Sequence, residues 1–259
     1  MKNIALFLAL VLLAACTEDQ IVIQPPANGA FANILSITYE DIRPTSPRTW
    51  TDTYEYDAEG ALVRYNDLSN IPKHQVFHYT GDSQLQEILT FQTEENQLLF
   101  RDSLTYNHIG QIEQVHKFRI DPSQNASLTH IENFSYDNNG RLRHKSTTTP
   151  SSPNPSTTRY LWNGGNIRKV DYYSSTGELL YETSYTYDNQ VNYRFNFPAY
   201  RTDPFNRNHN NVTRSSFTDH TGLIDPICFV CETQYEYNAQ GLPIRIEQPG
   251  GRVLTIEYE

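Results

Sequence analysis

Apolar and polar residues alternate along most of this chain with a period of two, the spacing that sends successive side chains to opposite faces of a β-strand. Pairs of large apolar residues flank single polar ones: Tyr54 and Tyr56 around Glu55, Phe77 and Tyr79 around His78, Leu104 and Tyr106 around Thr105. Phe134 and Tyr136 flank Ser135, Tyr185 and Tyr187 flank Thr186, and Tyr235 and Tyr237 flank Glu236. Each such strand therefore has one aromatic face and one polar face. No long stretch shows the 3.6-residue period of an amphipathic helix.

Each pair runs directly into a turn signal. Tyr56-Asp57-Ala58-Glu59-Gly60, Tyr106-Asn107-His108-Ile109-Gly110, Tyr136-Asp137-Asn138-Asn139-Gly140 and Tyr237-Asn238-Ala239-Gln240-Gly241 are the clear copies. Tyr79-Thr80-Gly81-Asp82, Trp162-Asn163-Gly164-Gly165 and Tyr187-Asp188-Asn189-Gln190 are degenerate ones. Their anchors recur about every 26 residues, the signature of a repeat architecture. Asp or Asn at the turn start accepts a hydrogen bond from backbone further on, and Gly60, Gly110, Gly140 and Gly241 supply the left-handed conformation that closes a short hairpin loop. Alternation resumes after each glycine, as in Ala61-Leu62-Val63-Arg64-Tyr65.

The unit is thus strand, tight turn, strand, and the fold class is all-β. Joined end to end, the units predict one large antiparallel meander of about 14–16 strands, curled into an open or closed barrel-like sheet. A closed barrel of that many strands is too wide for its side chains to fill, so it either flattens or keeps a cavity. Residues 147–158, rich in Thr, Ser and Pro, interrupt the pattern and read as one long hairpin loop.

The first residues set the location. Met1-Lys2-Asn3 is a short basic start, residues 4–15 are an apolar run too short to span a bilayer, and Leu13-Ala14-Ala15-Cys16 ends it. That is the bacterial lipobox pattern, in which Cys16 is acylated and tethers the protein to a membrane without crossing it. The expected organisation is a signal peptide over 1–15, a lipidated cysteine and flexible linker over 16–33, and a single β domain over 34–259. Thr17-Glu18-Asp19 after the cysteine resembles the signal that takes Bacteroidota lipoproteins to the cell surface, which makes the outer face of the outer membrane the expected location and its periplasmic face the alternative.

Composition narrows the chemistry. A formal net charge of -10 without basic runs argues against a nucleic-acid partner. Beyond Cys16 there are two cysteines, Cys228 and Cys231, spaced for a disulfide if the chain turns there; packed free thiols are the other reading. His74 and His78 share a strand face but lack further ligands for a metal site. No nucleophile elbow and no phosphate-cradling glycine loop is present, so neither an enzyme nor a cofactor is expected. Residues facing away from the tyrosines are too polar for a lipid-facing barrel wall.

The pattern Tyr-Asp-x-x-Gly-Arg-Leu, complete at Tyr136 to Leu142, resembles the YD repeat of Rhs proteins, teneurins and insecticidal toxin shells. With the lipobox, Asn210-Asn211-Val212 and the late Tyr235-Glu236-Tyr237-Asn238 unit, the chain is similar to Bacteroidota lipoproteins of a domain-of-unknown-function family with a porin-like fold. That resemblance implies the fold and an envelope location, and carries no site residues.

The expected function is a non-catalytic envelope lipoprotein that binds a glycan, an apolar ligand or a protein partner. A purely structural or interaction module is the alternative, and a glycan hydrolase would need two carboxylates facing one cavity. Aromatics outside the repeat, Tyr193, Phe195, Phe197, Tyr200 and Phe205, are the candidate ligand contacts, with the 147–158 loop as a second choice. The oligomeric state has no sequence signal.

Overall fold

A computed structural model of the chain describes residues 33–42, 47–81, 83–194, 208–223 and 228–259. Every regular element among them is a β-strand. In chain order these are β1 (Ile34–Asp41), β2 (Arg48–Tyr56), β3 (Leu62–Asp67), β4 (Lys73–Tyr79), β5 (Leu85–Gln92) and β6 (Gln97–Tyr106). Then come β7 (Ile112–Ile120), β8 (Ala126–Tyr136), β9 (Leu142–Thr149), β10 (Ser152–Asn163), β11 (Asn166–Tyr173) and β12 (Leu179–Val191). The chain ends with β13 (Asn210–Asp219), β14 (Val230–Glu232), β15 (Gln234–Tyr237), β16 (Pro243–Gln248) and β17 (Arg252–Tyr258).

The 17 strands form one sheet, an antiparallel meander in which sequence neighbours pair. The last strand returns to the first: β17 pairs with β1, from Ile34 opposite Tyr258 to Asp41 opposite Arg252. The sheet is thus rolled into a nearly closed barrel. The count exceeds the 14–16 expected because one strand is split into β14 and β15 on either side of Thr233, whose N–H still bonds the carbonyl of Thr213 at 2.8 Å. Beyond that bond, side chains bridge β13 and β15: Tyr235 donates to the Val212 carbonyl at 2.9 Å and Asn211 Nδ2 approaches the Tyr237 hydroxyl at 3.4 Å.

The alternation read from the sequence sorts the two faces. Glu55, His78, Thr105, Ser135, Thr186 and Glu236 are all exposed, whereas Tyr54, Phe77, Leu104 and Phe134 are buried in the interior. Residues just after the turns complete that core, with Leu62 and Ile167 at 0 % exposure and Ile112 at 1 %. A round barrel of this many strands would leave such side chains facing a channel, so their full burial means the walls meet over this layer.

The four clear repeat turns are built the same way. Asp57 N–H bonds the Ala61 carbonyl at 2.9 Å, and Asp57 Oδ1 accepts the N–H groups of Glu59 and Ala61 at 3.1 and 2.8 Å. Gly60, Gly110, Gly140 and Gly241 take φ of 81, 78, 75 and 78°, the left-handed conformation the motif required. A one-residue register shift accompanies the turn, between Glu55 and Tyr56 and again between Thr105 and Tyr106.

Residues 147–158 depart from expectation. They are not a long loop: β9 and β10 run almost to their tip and reverse at residues 150–151. Pro153 and Pro155, which suggested a loop because they cannot donate to a ladder, fall where the register jumps between Ser152 and Ser156 and no donor is needed.

Candidate ligand site at the barrel end away from the repeat turns

The repeat turns lie together at one end of the barrel, where the tyrosines join neighbouring hairpins and pack half-buried against the core. Tyr56 donates its hydroxyl to the carbonyl of Ile34, Tyr79 to Leu62, Tyr106 to Leu85 and Tyr136 to Ile112. The Trp162 indole N–H bonds Leu142, and Tyr187, Tyr235 and Tyr258 bond Ile167, Val212 and Pro243. These bonds, 2.5 to 3.1 Å long, link each hairpin to the one before it around the sheet.

Toward the other end the interior turns polar. Lys117 lies between Asp102 at 3.9 Å and Glu132 at 3.4 Å, and Lys145 reaches Glu132 at 3.2 Å. Burial opposes the charge on Glu132, yet Lys145 and Lys117 together hold its carboxyl below the ordinary range. Burial raises Asp102 instead, Lys117 only partly offsetting it.

At the mouth of this end lies a cavity of about 450 Å³, lined by Asp41, Arg48, Thr49, Trp50, Leu68, Ser69, Asn70 and Arg252. Strand register brings them together. Asp41 at the end of β1 stands opposite Arg48 on β2 and Arg252 on β17, and Trp50 lies two residues inside Arg48. The turn after β3 supplies Leu68 to Asn70, shaped by Asp67 Oδ1 accepting the Ser69 N–H at 2.9 Å. The Trp50 ring stacks on Tyr39, opposite it on β1, with centroids 5.0 Å apart and planes 4° from parallel. The Arg252 guanidinium carbon sits 5.8 Å from the centre of the indole, within cation–π reach.

Asp52, one step deeper on the same inward row, is 3 % exposed and accepts the Tyr65 hydroxyl at 2.8 Å. Burial pushes its carboxyl up to about 6, assisted by Asp67 and opposed by hydrogen bonds from Tyr65, Tyr39 and the Leu68 backbone. An indole held flat by a second ring, two guanidiniums, a carboxylate and the Ser69 and Asn70 side chains make a mouth suited to a ligand with an apolar face and many hydroxyls.

No protein-family model matches the sequence, and no curated protein does. Solved structures do resemble it. A porin-like protein from Bacteroides uniformis superposes with a TM-score of 0.57 at 12% identity, covering 88% of this chain and 99% of that one. One from Bacteroides vulgatus gives 0.55, again at 12% identity with 88% and 99% covered. The barrel has a porin-like fold. The Tc holotoxin pore of Photorhabdus luminescens also aligns, at 18% identity over 81% of this chain and 10% of that one, but its TM-score of 0.31 is too low to support an argument.

Within this porin-like barrel the residues singled out from sequence are scattered. Tyr193 is at the tyrosine end, half-buried against the core, with its N–H on Asn211 Oδ1 at 3.3 Å and the Arg194 guanidinium 5.2 Å from its ring. Phe195, Phe197, Tyr200 and Phe205 lie outside the described residues, as does Cys16. Cys228 and Cys231 form a disulfide; the chain bends at 229 before β14 begins, bringing their Cα atoms to 5.6 Å. His74 is buried and stacked on Phe91 at 4.9 Å, while His78 is exposed and 3.4 Å from Glu87. No group of three potential metal ligands occurs among the described residues.

Sequence reasoning passed over Trp50, Arg48, Arg252 and Asp41. One signal was available: Trp50 and Asp52 continue the inward row of Tyr54 and Tyr56, and a carboxylate in an aromatic row marks a place where the interior stops being core.

Proposed function

We propose that this chain is a non-catalytic, lipid-anchored β-barrel of the bacterial envelope that binds a glycan in the Trp50 cavity. The observation carrying this reading is the Trp50 indole, backed by Tyr39 and set among hydrogen-bonding and charged side chains at a concave mouth. Sugar rings stack on such surfaces through their C–H faces while their hydroxyls find donors at the rim. The lipobox at Cys16 and the porin-like neighbours from Bacteroides support an envelope location at the outer membrane. The exposed Glu55, His78, Glu236 and hydroxyl-bearing residues on the outer wall favour a tethered barrel over one embedded in lipid.

The test is calorimetric titration of the full chain carrying Cys16→Ser, which blocks acylation, against a panel of neutral oligosaccharides, with tryptophan emission followed in parallel. A binding sugar shifts the emission of Trp50, and Trp50→Ala weakens its affinity at least about tenfold, equivalent to about 1.4 kcal/mol. Binding that survives Trp50→Ala unchanged, or no binding across the panel, refutes the reading. New reducing ends after prolonged incubation would show turnover and overturn the non-catalytic part.

A further inference from the structure

A second, shallow and open cleft lies on the outer wall at the same end of the barrel, offering about 560 Å³ between β9, β10 and the turn joining β11 to β12. His144 and Arg159 stand opposite each other on β9 and β10. Their chain neighbours Lys145 and Thr158 share the register of inward Phe134, which sends His144 and Arg159 outward. Facing them is a hydroxyl-rich turn, Ser174-Ser175-Thr176. Its shape is fixed from within: Ser174 N–H bonds the Glu178 carbonyl at 2.9 Å, and Ser174 Oγ accepts the N–H groups of Thr176 and Glu178 at 3.2 and 3.1 Å. Tyr173 supplies an aromatic wall and Asn154 an amide.

The charge in this cleft is one-sided. No Asp or Glu among the described residues lines it. The carboxylate opposite Arg159 in the β10–β11 register is Asp171, and Lys169 holds it at 3.2 Å while also pairing with Glu182 at 2.6 Å. Among the described residues Arg159 has no ion-pair partner of its own. Burial, with Arg143 and Arg159 nearby, keeps His144 below the usual histidine range. At neutral pH His144 is therefore an uncharged N–H donor beside a fixed guanidinium. On a chain with a formal net charge of -10, an acidic ligand meets overall repulsion, so a cationic cleft that lacks carboxylates is a local exception.

We propose that this cleft binds an acidic saccharide, a sugar unit bearing a carboxylate or sulfate, with the acid group on Arg159 and His144 and the sugar hydroxyls on the Ser174-Ser175-Thr176 turn. A bare inorganic anion fills only a small part of about 560 Å³; the remaining volume, the hydroxyls and the Tyr173 ring suit the rest of a sugar. This assignment stands independently of the Trp50 cavity.

The experiment titrates the full Cys16→Ser chain with an oligogalacturonide, a sulfated oligosaccharide, a neutral oligosaccharide of equal length, and inorganic sulfate. In the Trp50→Ala background, which removes neutral-sugar binding at the other cavity, at least one acidic sugar binds at least about tenfold more tightly than the neutral one, Arg159→Gln abolishes that difference, and Arg159→Lys keeps part of it. Thr176→Glu, which places a carboxylate in an exposed turn of the cleft, gives the same loss by an independent route should Arg159→Gln fail to fold. Equal affinity for acidic and neutral sugars, or an acidic preference that survives both cleft substitutions, overturns the proposal. Loss of acidic binding in Trp50→Ala does so too, since Arg48 and Arg252 would then be the anion's partners. Inorganic sulfate binding as tightly as the sulfated sugar would show an anion site that does not recognise saccharide.

Discussion

The hydroxyl of each repeat tyrosine ties its own hairpin to the preceding one, a role that burial of the ring alone does not reveal. Tyr136→Phe deletes the 2.8 Å bond to the Ile112 carbonyl while keeping the ring, and should cost about 1 kcal/mol. Denaturant titration reads this as a lower midpoint at unchanged slope; an unshifted midpoint would show that the hydroxyl contributes nothing. Asp52 gives a prediction of opposite sign. Its carboxyl is raised from 3.8 to about 6, so the folded protein holds that proton to higher pH than the unfolded chain does. The group therefore favours folding most at low pH, and this contribution is lost as pH rises from about 4 to about 6. Asp52→Asn removes the buried charge and keeps an acceptor for Tyr65, so it should stabilise at pH 7.5 by up to about 3 kcal/mol and by almost nothing at pH 4. Melting temperatures of both proteins at the two pH values check this, and a gap that does not widen with pH refutes it.

At the level of the hairpin, the repeat's glycine does two separable things. Gly60 and Gly140 share the left-handed conformation, at φ of 81 and 75°, but their surroundings differ. A Cβ at position 60 meets nothing within 4 Å, whereas one at 140 comes within 3.2 Å of Gln111 Nε2, whose amide bonds the Gly140 carbonyl at 3.3 Å. Gly60→Val should therefore cost about 1 to 2 kcal/mol from backbone strain alone, and Gly140→Val more, since it also disturbs the link to the neighbouring turn. Equal losses in chemical denaturation would show that the Gln111 link carries no weight. Ser83 and Gln124 take the same conformation, at φ of 59 and 66°, in turns that lack a repeat glycine, so the loop geometry persists where its sequence marker has gone. This explains the misread segment 147–158: composition marks where donors are missing, and a register jump can accommodate missing donors inside a strand.

On the scale of the whole barrel, the meander was legible because each unit announces itself locally, through alternation and turn chemistry within about 26 residues. Closure was not legible. The pairing of Ile37 with Ile256 and Tyr39 with Leu254 joins segments at opposite ends of the chain, and no local pattern encodes that register. The Trp50 site stayed hidden for the same reason, since Arg252, Asp41 and Asn70 meet only once the ring is nearly complete. By contrast, Tyr193 drew attention because it broke the repeat, and the structure places it among the tyrosines of the opposite end.

One detail of closure bears on how the barrel is presented. β1 begins at Ile34 among the repeat turns, where Glu259 N–H also bonds the Asn33 carbonyl at 2.9 Å. With Cys16 acylated, as proposed, the leash leaves from the tyrosine end and its residues 17–33 reach at most about 60 Å. The mouth holding Trp50 then lies at the end of the barrel away from that attachment point, and the Arg159 cleft lies across the ring from it, on β9 to β11.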